Sequence, residues 1–209
     1  ELSRAATMGH RGAVIDHFSM STPMYDPGWD PLWNAAEDTG LSISVHLGGG
    51  TYMLPRTIGS WVMSARTSVV SMQLDEVLAV ICFSGIMEKH PKLNFVLGES
   101  GLGWIPYVLE RMDQKYLDFA TNTRDYRGEI KPTDLFHRQV YATFEDEKLG
   151  IEMIPLIGAG NVMWACDYPH PVSTWPNSME HIDKALKGLS QQDRDLVVRG
   201  NAAKLYRFS

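Results

Sequence analysis

The sequence predicts an α/β protein with a parallel sheet, and three observations lead to this fold class. Short apolar runs, rich in valine, isoleucine and leucine, alternate along the chain with longer segments of helical pattern. The runs are almost continuously apolar, which is typical of strands that are covered on both faces. Several of them end in a histidine or a carboxylate where a glycine- or proline-rich loop begins. We therefore expect one domain, residues 1–209, with helices on both faces of the sheet.

Five segments are predicted to be the strands of this sheet. They are residues 12–16, 42–47, 94–99, 139–144 and 162–167. A segment of helical pattern separates each strand from the next. Parallel strands require such a connection, because the chain must cross back over the sheet before the next strand starts.

The helices are predicted from the spacing of their apolar residues and from start and stop signals. In the helix at residues 29–39, Asp30 is expected to be the N-cap, Pro31 the first helical residue and Gly40 the stop. The other helices are expected at residues 69–88, 104–119, 148–157, 178–187 and 191–206, with a short helix before Gly9.

Composition and charge narrow the range of partners. The formal net charge of −6 argues against a nucleic-acid partner, because phosphate binding needs a basic face. No apolar stretch approaches the roughly 20 residues of a membrane span, so no membrane partner is expected. The two cysteines, Cys82 and Cys166, lie in apolar segments, which favours reduced thiols over a disulfide. These features predict a cytoplasmic protein.

Three polar side chains at strand ends form the candidate site. His46, Glu99 and Asp167 close the second, third and fifth predicted strands. Because the carboxyl ends of parallel strands meet at one edge of a sheet, we expect these side chains to lie close together. An imidazole nitrogen and a carboxylate oxygen can bind a divalent ion such as Zn²⁺, and a carboxyl group such as that of Glu99 can also transfer protons.

Each of these residues also has an ordinary structural interpretation. A single histidine after a strand is more often a hydrogen-bonded structural residue than a ligand. Glu99 could cap the helix that is predicted to begin near residue 104, and Asp167 could cap its own loop. The sequence alone leaves both interpretations open.

Further residues are expected to lie at the same edge of the sheet as the candidate site. Asp16 and His17 end the first predicted strand, and His170 follows Asp167 in the last loop. We predict that these three side chains contact the substrate. The long loop after His46 is a candidate lid, although core or interface packing is the commoner use of the residues around it, Met53, Trp61, Met63 and Met72.

The number of strands leaves two folds open. Five strand–helix units are visible, whereas a closed (β/α)8 barrel needs eight and typically about 250 residues. The chain also opens in a helical segment, as though a strand preceded it. The fold is therefore either an open doubly wound sheet or a barrel without its N-terminal part.

Four motifs in series distinguish between these folds. They are Trp29-Asp30-Pro31-Leu32-Trp33 with Glu37 and Gly40-Leu41, then Val45-His46-Leu47-Gly48, then His90-Pro91-Lys92-Leu93 with Gly98-Glu99-Ser100-Gly101, and finally Cys166-Asp167-Tyr168-Pro169-His170. In this order and spacing the chain resembles the amidohydrolase family that includes aminocarboxymuconate-semialdehyde decarboxylase and the resorcylate and carboxyvanillate decarboxylases. The resemblance covers essentially the whole chain, and it aligns with the latter five-eighths of such a protein.

The resemblance implies a (β/α)8 TIM-barrel type of fold in which the first three strand–helix units are lacking and strands four to eight are present. It also implies that His46 and Asp167 are metal ligands, and that Asp167 and Glu99 are catalytic. Glu99 stands where many members have a histidine, and the family's ligand pair on strand one has no counterpart in these residues. The implied cofactor is a divalent metal ion, Zn²⁺ in the first place, with Mn²⁺ as the other candidate.

The implied function is that of a metal-dependent carboxy-lyase or hydrolase that acts on a small aromatic or unsaturated carboxylic acid, ester or amide. The alternative is a non-catalytic barrel remnant that acts only through association. In either case an open part of a barrel exposes a sheet edge and an apolar inner face. We therefore predict that the chain is a homo-oligomer, or that further N-terminal residues cover these surfaces.

Overall fold

The computed structural model describes residues 1–48, 54, 59–119 and 128–208. Its centre is a five-stranded parallel sheet whose strands follow one another in chain order. The strands are β1 (Gly12–Ile15), β2 (Ser42–His46), β3 (Phe95–Gly98), β4 (Val140–Phe144) and β5 (Val162–Trp164). All five predicted strands are thus confirmed, and each crossover moves one strand further in the same direction.

The helices lie between and after the strands. They are α1 (Leu2–Thr7), α2 (Asp30–Thr39), α3 (Trp61–Val69), α4 (Asp75–Phe83), α5 (Ile86–Lys89), α6 (Ile105–Phe119), α7 (Pro132–Gln139), α8 (Lys148–Ile157), α9 (Ser178–Ala185), α10 (Gln191–Asp195) and α11 (Asn201–Tyr206). A π-helical turn, Leu196–Gly200, joins α10 to α11. Met53, in the candidate lid, lies outside the described residues.

Several helices differ from their predicted form. The single helix expected at residues 69–88 is divided into a 3₁₀ segment, α4 and α5. Gly85 separates α4 from α5, because it turns the chain with a φ of +83°. Helix α7 was not predicted, since it runs into β4 without a glycine stop between them. The final helix, expected at residues 191–206, contains the π-helical turn.

The predicted N-cap at Asp30 is wrong. Asp30 is the first residue of α2, and the preceding Trp29 occupies the cap position without a side-chain hydrogen bond. The carboxylate of Asp30 is instead 2.5 Å from Nζ of Lys89. The stop at Gly40 is confirmed, because Gly40 adopts the left-handed conformation with a φ of +67°.

The two faces of the sheet are covered differently. Side chains such as Val45, Phe95 and Leu97 point into the main core, which they share with α2, α4, α6, α7 and α8. On the opposite face a smaller cluster joins Val96 to Leu205 of α11. That cluster is completed by Tyr141 and Met163, with Ala202 and Tyr206 packed against it. Helices therefore cover one face fully and the other only in part.

This second face positions the candidate site. His46 pairs in register with Gly98 and lies on the same face as Val96, because alternate residues of a strand share a face. Thr143 of β4 lies on this face as well, beside Met163. The carboxyl ends of β2 to β5 consequently open onto one side of the sheet.

Two further properties follow from the described residues. None of the helices in the described ranges is long and apolar enough to cross a membrane. Cys82 and Cys166 are free thiols, as expected, and burial raises the pKa of the Cys82 thiol well above its usual range. The Cys82 thiol therefore stays protonated and unreactive.

Candidate active site

Four ionisable side chains lie at the carboxyl ends of neighbouring strands. His46 is the last residue of β2, Glu99 follows β3 directly, and Glu145 follows β4 directly. Asp167 comes three residues after β5, which is shorter than predicted. The sheet therefore brings His46, Glu99 and Asp167 together as the sequence indicated, and it adds Glu145.

His46 and Glu99 are in direct contact. Nε2 of His46 is 3.0 Å from Oε1 of Glu99, and both side chains are partly exposed. The close approach depends on Gly98, since a Cβ atom at that position would be 3.1 Å from Cδ2 of His46 and 3.3 Å from the carbonyl oxygen of Val45. Any larger residue at position 98 would displace the imidazole.

The other ring nitrogen of His46 fixes the tautomer. Nδ1 lies 2.5 Å from the carbonyl oxygen of Leu47. A carbonyl oxygen can only accept a hydrogen bond, so Nδ1 carries a proton and Nε2 is the ring nitrogen that faces Glu99. The contact with Glu99 then requires one more proton, which is held by either the carboxyl group or the imidazole.

The carboxylates form a cluster in which each disfavours the charge of the others. Burial raises the pKa of Glu99, and a hydrogen bond from its protonated carboxyl group to Asp167 adds to the effect, while His46 opposes it. Burial also raises the pKa of Glu145 to about 7, with Asp167 and Glu99 contributing through charge repulsion. At neutral pH this cluster holds protons that isolated carboxylic acids would lose.

The backbone is unusual at two of the four positions. Glu99 and Asp167 have φ values of +53° and +55°, in the left-handed region that non-glycine residues seldom adopt. Such conformations are retained where the surrounding structure holds them, and they are frequent at functional sites. Both residues leave the regular alternation of the strand here, so sequence periodicity alone cannot give the direction of their side chains.

The side chains of this cluster can be compared with the ligands that a divalent metal ion requires. Within the described ranges, no group of three or more His, Cys, Asp or Glu side chains converges closely enough to hold a metal ion. The donor chemistry nevertheless fits, because His46 presents a lone pair at Nε2 and the carboxylates repel one another until a cation or a proton joins them. One buried oxygen, Oε1 of Glu145, has no hydrogen-bond partner among the described residues. The described residues thus supply ligands of a suitable kind, but fewer of them than a metal ion needs.

The remaining sequence candidates have different surroundings. Nδ1 of His170 lies 3.5 Å from Oδ2 of Asp167, and its backbone N–H donates to the Asp167 carbonyl, so His170 belongs to the site. Asp16 follows the strand position paired with Val45, but its carboxylate accepts hydrogen bonds from the N–H of Phe18 and the hydroxyl of Ser19. The structure therefore gives Asp16 a local capping contact.

His17 lies in the 3₁₀ turn that follows β1. It lines a cavity of about 490 Å³ together with Phe18 and Glu76. Its two ring nitrogens are buried and have no hydrogen-bond partner in the described part of the chain. Burial lowers the pKa of His17 and favours the neutral ring.

Sequence reasoning missed three residues of the site. Glu145 directly follows the predicted strand at residues 139–144, so the strand-end rule applied to the other candidates would have found it. Thr143 and Glu147 hold the loop that contains Glu99, through hydrogen bonds to the backbone N–H groups of Glu99, Leu102 and Gly103. Glu147, and not Glu99, therefore caps the start of α6.

The family assignment rests on a match along nearly the whole chain. The sequence model of the amidohydrolase family matches residues 2–208. The chain is a member of the amidohydrolase family. The expectation from the four motifs is thus confirmed.

The curated relatives of this amidohydrolase include decarboxylases. It is 26% identical over 235 residues to a gamma-resorcylate decarboxylase of Rhizobium sp., and the match covers 100% of this chain and 65% of the relative. The chain therefore spans slightly less than two thirds of the length of that curated relative.

Solved structures show the same fold. A 5-carboxyvanillate decarboxylase of Sphingomonas paucimobilis superposes with a TM-score of 0.81 at 24% identity, covering 100% of this amidohydrolase and 62% of that chain. A dihydroxybenzoic acid decarboxylase of Polaromonas sp., with bound manganese and 2-nitroresorcinol, gives a TM-score of 0.77 at 19% identity. The match covers 99% of this chain and 64% of the Polaromonas decarboxylase.

Proposed function

We propose that this amidohydrolase is a metal-dependent carboxy-lyase that removes CO2 from a small aromatic carboxylic acid. The observation that carries the proposal is the cluster of His46 with Glu99, Glu145 and Asp167 at the ends of four adjacent strands. The cluster combines a nitrogen donor, several oxygen donors and a proton-holding carboxyl group. The decarboxylase relatives support a carboxylic acid as substrate.

The fold proposed for the active protein is a (β/α)8 barrel in which β1 to β5 are strands four to eight. Unidirectional strand order and a main core on one face of the sheet support this arrangement. Residues 1–209 would then be the larger part of one domain, and the inner face would be the one that carries His46 and Val96.

The residues proposed to hold the metal are His46, through Nε2, and Asp167. Two protein ligands are few for a catalytic metal, so donors outside the described residues, water and substrate would fill the other positions. A bound divalent ion would polarise the oxygens of the substrate carboxylate or of a neighbouring hydroxyl group. The manganese in the related decarboxylase makes Mn²⁺ as suitable a candidate as Zn²⁺.

Glu99 is proposed to be the acid that delivers a proton to the ring carbon that loses CO2. Its carboxyl group is partly buried, and this burial raises its pKa, which favours the protonated form that a proton donor needs. This carboxyl group lies beside the imidazole of His46, at the carboxyl end of β2. His170, in contact with Asp167, is placed to bind substrate, and Asp16 and His17 remain candidates for weaker substrate contacts.

The proposal is tested by measuring CO2 release. Purified protein that contains this chain is incubated with 2,6-dihydroxybenzoate and 5-carboxyvanillate, with Mn²⁺ or Zn²⁺ added or removed by a chelator. We expect metal-dependent release of one CO2 per molecule of phenol formed, and loss of release on chelation.

Absence of CO2 from both acids with either metal would reject the carboxy-lyase. The same samples are then given aryl esters and amides, because a carboxylate such as that of Asp167 can also accept a proton from a hydrolytic water. Inactivity on all of these substrates would leave the non-catalytic remnant as the surviving interpretation.

A further inference from the structure

Thr143 of β4 makes four hydrogen-bonding contacts with the end of β3 and the loop that carries Glu99, one of them from the hydroxyl of Ser100 to the Thr143 carbonyl oxygen at 3.3 Å. Its hydroxyl accepts a hydrogen bond of 2.8 Å from the backbone N–H of Glu99. The same hydroxyl donates to the carbonyl oxygen of Leu97 at 3.2 Å. The carbonyl oxygen of Thr143 accepts from the N–H of Gly101 at 3.1 Å. One threonine thus fixes the chain on both sides of Glu99.

Glu147 fixes the next residues of the same loop. Its two carboxylate oxygens accept hydrogen bonds from the N–H groups of Leu102, at 2.7 Å, and Gly103, at 2.9 Å. The carboxylate is packed so tightly that a Cβ atom on Gly103 would lie 2.9 Å from Oε1. Glu147 therefore anchors the start of α6, and the segment between Glu99 and α6 is held from β4 and its following loop.

The contact at Thr143 is the one that acts on Glu99 itself. Glu99 has a left-handed backbone, which costs free energy for a residue with a Cβ atom. The hydroxyl of Thr143 satisfies the amide that this conformation turns towards β4. Without that acceptor the amide would lose its partner in a partly buried place, and an ordinary backbone conformation would become more favourable.

We propose that Thr143 is a positioning residue, whose hydroxyl holds the backbone of Glu99 so that its carboxyl group stays beside the imidazole of His46. The hydrogen bond from Thr143 would maintain the 3.0 Å approach between the side chains of Glu99 and His46. The consequence for turnover rests on the proposed function, whereas the consequence for the geometry does not.

Three variants separate positioning from ordinary stabilisation. Thr143→Val keeps the shape and removes the hydroxyl, and Thr143→Ser keeps the hydroxyl. Thr133→Val is the matched control, because the hydroxyl of Thr133 makes a 2.7 Å hydrogen bond to Asp113, far along the chain from the loop of Glu99. Each protein is assayed for CO2 release, for amide hydrogen exchange at Glu99 and by crystallography.

We expect Thr143→Val to lower kcat by about 10²-fold at nearly constant KM, the scale of loss found when a reacting group is misplaced by about 1 Å. Exchange at the Glu99 amide should become faster, and the distance from Glu99 to His46 should lengthen. Thr143→Ser should restore all three properties, and Thr133→Val should change none of them.

A Thr143→Val protein with unchanged Glu99 geometry and unchanged exchange would overturn the proposal. So would an equal loss of kcat in Thr133→Val, because that loss would reflect general destabilisation. If the unaltered protein releases no CO2, the proposed function fails, while the crystal structure and the exchange rate still decide the role of Thr143.

Discussion

Nε2 of His46 and Oε1 of Glu99 are 3.0 Å apart, on side chains that close the neighbouring strands β2 and β3. Two local features produce this contact. Gly98 leaves space for the imidazole, and the left-handed backbone of Glu99 turns the chain immediately after the strand. The pair therefore depends on the register of the sheet as well as on the two residues themselves.

Replacing Glu99 by glutamine tests its role as an acid. The amide keeps the size of the side chain but cannot deliver a proton, so turnover should fall by roughly 10²–10⁴-fold while metal remains bound. Steady-state CO2 release and metal analysis measure the two properties. Glu152→Gln, at an exposed position of α8, is the control and should be fully active. Normal turnover of the Glu99→Gln protein would remove Glu99 from the mechanism.

Asp167→Asn tests the charge of the proposed ligand at constant size. We expect loss of activity with little loss of stability, because Asp167 lies at a strand end and not in the main core.

His46→Ala should lower the affinity for Mn²⁺ as well as the activity, since the ring supplies the only nitrogen donor proposed. Isothermal titration with Mn²⁺ gives the affinities, and Asp38→Asn on the exposed side of α2 serves as control. Wild-type affinity in His46→Ala would contradict the ligand assignment.

Gly150→Ala should destabilise the protein through the anchor of α6. A Cβ atom at Gly150 would overlap the carboxylate of Glu147 and would lie 2.8 Å from Cβ of Leu102. Overpacking of this kind costs about 1–3 kcal/mol, which urea unfolding can measure. Gly188→Ala is the matched control, because a Cβ atom at Gly188 meets nothing within 4 Å. Equal stability of the two variants would show that Glu147 has room to move.

The pH dependence of stability should depend in part on Asp113. Burial tends to raise the pKa of Asp113, but hydrogen bonds from Lys131 and Thr133 outweigh this and lower it below its usual value. Because the folded pKa is the lower one, the stabilisation is present above the unfolded pKa and is lost as the pH falls through the folded pKa.

Asp113→Asn should therefore cost about 1 kcal/mol at pH 7, a value reduced for partial solvent screening, and close to nothing at pH 2. Thermal unfolding of both proteins across this range measures the difference. A difference that stays constant from pH 7 to pH 2 would contradict the role of the ionised carboxylate.

The prediction of a homo-oligomer can be tested at the first strand. Val14 of β1 is 71% exposed, and β1 is an edge of the sheet in the described part of the chain. We expect self-association at micromolar concentration and a weaker association of Val14→Lys, because a lysine disfavours pairing at an edge strand. Sedimentation velocity measures the assembly, with Val172→Lys on the loop after β5 as control. A monomeric unaltered protein would contradict the prediction.

The sequence by itself determined the strands and most of the residues at their ends. A strand is a local apolar run, and the loop after it has a local composition, so both can be recognised from neighbouring residues. Helix boundaries were less secure where a tertiary contact replaced a local signal. Asp30, for example, pairs with Lys89 and does not cap α2.

Only the tertiary structure decided which of these residues meet. The contact of His46 with Glu99, the hydrogen bond from Glu99 to Thr143 and the capping of α6 by Glu147 each join segments that are distant along the chain. Such contacts depend on sheet register and on left-handed backbone at Glu99, which a two-residue periodicity does not encode. The raised pKa of Glu145 has the same origin, because it arises from burial and from carboxylates on other strands.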